Sequence, residues 1–213
     1  MKQIDFYFDV ISPYAYLAFE HLPEALMGHS YEVMYRPVLF AGLLEHHRQL
    51  GPAEIRPKRD WTYRQVAWLA RQLDIDLRLP AAHPFNPLPL LRLAVASSAD
   101  GVPNRYVTES IFRHVWRGGN DAADPQRLQE LVLLLNPPRD PQDAAVKNEL
   151  KAFSQDAIRL GLFGVPALVV DGRIFWGLDS LPMLRDYLAG DPWFDGAQWD
   201  AASLLPTGVQ RRT

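Results

Sequence analysis

The chain has 213 residues, 48% of them hydrophobic and 22% charged, with a formal net charge of −3 at pH 7. That length and apolar content exclude a disordered chain and suffice for a core without metal or disulfide staples, while the charge argues against nucleic acid or an anionic membrane as the main partner. There is no cysteine, which excludes a dithiol centre, a thiolate zinc site and a cysteine nucleophile, so any thiol chemistry needs a borrowed thiol.

The opening Met1-Lys2-Gln3-Ile4-Asp5 has no apolar signal core, and no stretch approaches the ~20 apolar residues of a membrane span, so the sequence reads as cytoplasmic. Ile4, Phe6, Phe8 and Val10 alternate with Asp5, Tyr7 and Asp9, a period of two that predicts a first strand. Ser12-Pro13 then offers an N-cap hydroxyl and a proline at the first helical position, predicting a helix over Tyr14 to Met27 that Gly28 ends. Tyr31, Val33 and Tyr35 predict a second strand up to Pro37, parallel to the first because a helix connects them.

From Phe40 to about Gly161 the signals are helical. Val66, Leu69, Ala70 and Leu73 form one stripe, Val107, Ile111, Phe112 and Val115 another, and Leu128, Leu131, Val132 and Leu135 a third. Asp124-Pro125 and Asp140-Pro141 each predict a helix start with an acidic cap. Ala167 to Val170 and Arg173 to Trp176 flank Asp171-Gly172, a two-residue hairpin signal. Asp179 or Ser180 then caps a last helix that Gly190 terminates.

The order βαβ, helices, ββα is that of a thioredoxin-like α/β fold with a large all-helical insertion. It places the thioredoxin-like domain at residues 1–38 and 162–195, the insertion at 39–161 and a tail at 196–213.

Ser12 is by default only a cap. Its helix, however, begins beyond the carboxyl edge of the sheet, where open α/β sheets bind ligands and where helix amides and dipole favour an anion such as a thiolate. Gly164-Val165-Pro166 reads either as a chain reversal or as a backbone segment on which an extended peptide pairs. Asp179-Ser180 reads as a cap, or as a carboxylate holding an α-ammonium beside helix amides that hold an α-carboxylate, as a γ-glutamyl group requires. The six histidines show no metal-ligand spacing, so no metal site is expected. A serine hydrolase triad has no G-x-S-x-G elbow to support it. Trp61, Trp68, Trp116 and Trp176 read as core or interface residues.

The run Asp5-Phe6-Tyr7-Phe8-Asp9-Val10-Ile11-Ser12-Pro13-Tyr14-Ala15-Tyr16-Leu17-Ala18 resembles the opening of the 2-hydroxychromene-2-carboxylate isomerases and kappa-class glutathione transferases. Phe163-Gly164-Val165-Pro166 and Trp176-Gly177-Leu178-Asp179 resemble that family's two later motifs, in the same order. The resemblance implies a homodimer and a glutathione cofactor whose sulfur is held by the catalytic Ser12, with Pro13 beside it. It implies that Val165 and Pro166 meet the cysteinyl backbone and that Asp179 and Ser180 meet the γ-glutamyl end. Gln49 stands ahead of Gly51-Pro52 where the isomerases tend to carry asparagine, Ser180 stands where an arginine can follow the aspartate, and Lys58 matches a family lysine near the ligand. The function implied is glutathione-dependent isomerisation of an aromatic-degradation intermediate. The alternatives are a kappa-like transferase acting on electrophiles and a noncatalytic glutathione-binding or chaperone-like module; a dithiol oxidoreductase is excluded by the missing cysteines.

Overall fold

A computed structural model describes residues 1–206 and 208. Arg211-Arg212, part of the expected tail, lie outside the described residues. Strand β1 (Lys2–Phe8) leads into helix α1 (Pro13–Ala25), and β2 (Tyr31–Pro37) pairs with β1 in parallel, Lys2 opposite Tyr31 and Phe8 opposite Pro37. Helices α2 (Phe40–His46), α3 (Arg56–Gln72), α4 (Leu88–Ala96), α5 (Arg105–Trp116), α6 (Pro125–Leu135) and α7 (Ala144–Arg159) follow. The hairpin of β3 (Ala167–Val170) and β4 (Arg173–Trp176), then α8 (Leu181–Leu188) and α9 (Ala197–Ser203), complete the chain. The strand order is β2-β1-β3-β4, with β3 antiparallel to both its neighbours.

Alternation along β1 divides the layers. Ile4, Phe6 and Phe8 join Leu168 and Phe175 in a core with α1 and α8, while Tyr7 joins Ala167 and Val169 against Ala157 and Leu162 on the α7 side. The first core runs without a break into the helical segment through Val66, Leu91, Ile111, Phe112 and Trp116. The stripe on α5 is buried at all four expected positions, whereas on α3 only Val66 and Ala70 are, and on α6 only Leu131.

Three sequence expectations are corrected. Val10 lies beyond β1, in the turn where the chain leaves the sheet. Helix α7 begins at Ala144 rather than after Asp140, because the Asp140 carboxylate accepts from Gln142 N at 2.8 Å and closes a turn first. Helix α8 follows a single 3-10 turn over Leu178–Ser180, and Ser180 makes no side-chain cap bond. The segment beyond Gly196 contains α9, whose Trp199 packs on Trp193 and Phe194 at ring-centroid distances of 5.5 and 5.3 Å.

Candidate functional site

Ser12 sits at the head of α1 as its N-cap, its Oγ accepting from Ala15 N at 3.2 Å, with Pro13 in the first turn. The same hydroxyl donates to the Val165 carbonyl at 3.3 Å, so residues 153 positions apart meet. Both bonds are long for a hydroxyl. Ser12 is 7% exposed and Val165 8%, so their meeting point is largely closed to solvent. The Val165–Pro166 peptide bond is cis. Few amides are free here: Pro13 has none, Ala15 N is taken by Ser12, and Tyr14 N and Val165 N find no acceptor among the described residues. Of the amides that open α1, only Tyr14 N is therefore left free, with Val165 N the second free donor, outside the helix.

Behind Ser12 the loop from β1 to α1 is tied down at every peptide. Asp9, 0% exposed, accepts from Ile11 N at 3.0 Å and Phe40 N at 2.9 Å. Its carbonyl accepts from Ser12 N at 3.0 Å. Burial pushes the Asp9 carboxyl up to about 7 although backbone N–H bonds from Phe40, Ile11 and Val10 oppose the rise. The Val10 carbonyl accepts from the Trp116 indole at 2.9 Å, and the Ile11 carbonyl lies 2.8 Å from His83 Nε2. A carbonyl only accepts, so His83 carries its proton on Nε2, and Nδ1 then accepts from the Tyr63 hydroxyl at 2.7 Å. Burial lowers the His83 pKa, opposed by the Ile11 bond, which keeps the ring neutral.

Asp179 is exposed and has no ion-pair partner among the described residues. It lies close enough to Tyr14 to add to the upward shift that burial gives that phenol. Gly177 leaves room for the Asp179 carboxylate: its φ is +92° and a Cβ there would fall 2.4 Å from Asp179 Oδ1. Ser180 is turned inward, its hydroxyl donating to the Gly177 carbonyl at 2.8 Å. Gln49 is exposed in the loop after α2, and Lys58 is exposed in the first turn of α3. Among the described residues no hydrogen bond or ion pair joins either side chain to Ser12, Val165 or Asp179. No group of three His, Cys, Asp or Glu is placed to hold a metal ion among the described residues.

Sequence reading singled out Ser12, Val165 and Asp179 but missed Asp9, Tyr63 and His83. Asp9 carries one signal, an acid between a strand and a Ser-Pro cap. His83 carries none, since its partner Ile11 is 72 positions away.

A mixed four-stranded sheet with an N-capped helix leaving β1 and a Val-Pro segment opening β3 defines a thioredoxin-like α/β protein. The chain belongs to the DSBA-like thioredoxin domain family, which matches residues 3–189. It is 28% identical over 194 residues to the 2-hydroxychromene-2-carboxylate isomerase of Sphingobium xenophagum, covering 88% of this chain and 98% of that protein. It is also 28% identical over 208 residues to glutathione S-transferase kappa 2 of Caenorhabditis elegans, covering 88% and 92%. A solved 2-hydroxychromene-2-carboxylate isomerase matches the fold with a TM-score of 0.76 at 21% identity, over 96% of this chain and 100% of that one.

Proposed function

We propose that the protein is a glutathione-dependent isomerase of the 2-hydroxychromene-2-carboxylate isomerase type. The observation that carries this reading is the contact between the Ser12 hydroxyl and the Val165 carbonyl in a chain without cysteine. Bound there, glutathione would supply a thiolate that adds reversibly to a conjugated double bond of an aromatic-degradation intermediate, making it a single bond free to rotate until expulsion of the thiolate restores the double bond.

The chain's own part is to hold and polarise. The long Ser12–Val165 bond is easily exchanged. The Val165 carbonyl would hold the cysteinyl N–H, and the Ser12 hydroxyl, released from that carbonyl, would donate its hydrogen bond to the sulfur. Donation of that hydrogen bond, with the positive end of α1 beneath it, favours the thiolate. Val165 N is free to donate to the cysteinyl carbonyl, completing a short strand-like pairing next to Pro166. Asp179 would receive the γ-glutamyl ammonium, with Ser180 fixing the turn that presents it; Gln49 and Lys58 are assigned to the ligand by the family resemblance alone.

Trp61 and Trp68 lie on one face of α3, 62% and 57% exposed, and in this reading a second copy covers them in a homodimer that sedimentation velocity detects.

The protein is expected to be retained by immobilised glutathione, and Ser12→Ala to lower turnover with the circular dichroism spectrum intact. Absence of calorimetric binding of glutathione to the wild-type protein overturns the reading. The equal identity to a kappa-class relative supports a second reading, a transferase that releases a conjugate. Thiol mass balance separates the two: an isomerase returns all the glutathione, a transferase consumes one per turnover.

A further inference from the structure

We propose that His83, held by Tyr63, is a positioning residue for Ser12, an inference that deepens the reading of Ser12 as the group holding a thiolate. In front, the Ser12 hydroxyl has only the contacts of 3.2 Å to Ala15 N and 3.3 Å to the Val165 carbonyl. Behind, the peptide that delivers Ser12 is gripped at both ends, its carbonyl at 2.8 Å by His83 Nε2 and its N–H at 3.0 Å by the Asp9 carbonyl. The hydroxyl's direction is therefore inherited from the backbone, and one side of that grip is a single imidazole.

The imidazole is itself immobilised. Tyr63 on α3 holds Nδ1 at 2.7 Å, and the rings of Trp116 and Phe85 lie with centroids at 5.5 and 5.9 Å. A flip of the ring would lose both hydrogen bonds at once. The helical segment, through His83 and Trp116, thus sets how the first turn of α1 faces Val165. Of the acids near this loop, the Asp9 carboxyl lies behind it and is pushed toward its neutral form by burial, and Asp179 lies near Tyr14; the hydrogen bond of His83 to the Ile11 carbonyl acts on an anion at Ser12 through orientation.

Because the chain lacks cysteine, Ser12→Cys places a single reporter thiol at the point in question. Its ionisation is read from the pH dependence of alkylation by iodoacetamide and from thiolate absorbance. The Ser12→Cys thiol is expected to ionise below the ~8.5 of a free cysteine, and His83→Ala in that background to slow alkylation at neutral pH about tenfold, one pKa unit. His83→Gln, whose amide N–H reaches the same carbonyl, is expected to restore most of the rate. Identical alkylation profiles for Ser12→Cys with and without His83→Ala, both folded by circular dichroism, overturn the proposal. If His83→Ala does not fold, Tyr63→Phe decides: it keeps the imidazole but frees Nδ1, and an unshifted profile in that variant overturns the proposal equally. Glutathione calorimetry on the wild-type chain is scored separately. No binding there removes the thiol-cofactor reading, while the reporter thiol still decides whether His83 positions residue 12.

Discussion

Asp9 is the residue where burial and hydrogen bonding oppose each other most directly. Two carboxylate oxygens accept from Ile11 N and Phe40 N, which favours the anion, yet complete burial raises the pKa to about 7 from the usual 3.8. Between those values the folded chain keeps a proton that the unfolded chain releases. Stability is therefore full below about pH 4, falls as pH rises to about 7 and is flat above, a loss on the order of 4 kcal/mol from this one group. Urea midpoints are expected to drop between pH 5 and pH 8 in the wild-type chain and to drop less in Asp9→Asn, which has no proton to lose. Equal drops in the two proteins would show that Asp9 titrates normally. At this scale the sequence is legible only where one residue declares its chemistry. Ser12-Pro13 announces a cap, but Asp9 reads as the polar side of a strand and His83 as one histidine of six, because each acts through a neighbour that folding supplies.

At the scale of elements, the dipeptide Asp-Pro occurs at two expected helix starts and works at one. Asp124 accepts from Arg127 N at 2.9 Å, three residues ahead, and α6 follows directly. Asp140 accepts from Gln142 N, two residues ahead, which makes a turn, and α7 waits for Asp143, whose side chain caps nothing. Asp124→Ala is expected to cost about 1 kcal/mol and Asp143→Ala much less, compared by urea unfolding; equal costs would mean that the dipole at the helix start, not the cap bond, stabilises α6. Helix existence was legible because the apolar stripes repeat over several turns. The start of α7 was not, since the choice between reaching two or three residues ahead depends on backbone angles that no single residue type fixes. Asp171-Gly172 shows the converse: φ of 50° and 78° at both turn positions leaves few residue types able to serve, so the hairpin was legible from two letters.

Across the whole molecule, the order of elements makes residues 39–161 look like a unit set apart from the sheet, but side-chain packing joins them. Phe112 of α5 lies with its ring 5.3 Å from Phe8 of β1 and 5.2 Å from Phe19 of α1, and is fully buried. Trp116 and His83 extend that junction to the loop bearing Ser12. Such pairings across 72 to 106 positions leave no trace in local periodicity, which reports only that α5 has an apolar face. If the core is shared, sheet and helices unfold together. Phe112→Ala is then expected to cost about 3–5 kcal/mol and to shift one common urea transition seen by far-ultraviolet circular dichroism and by tryptophan fluorescence. Amide exchange should lose protection by the same amount in β1 and in α5, because both open through the same global event. Two separated transitions, or protection lost in α5 alone, would mean that the helical segment melts by itself. In that case the grip of His83 and Trp116 on the β1–α1 loop would loosen well before the sheet does.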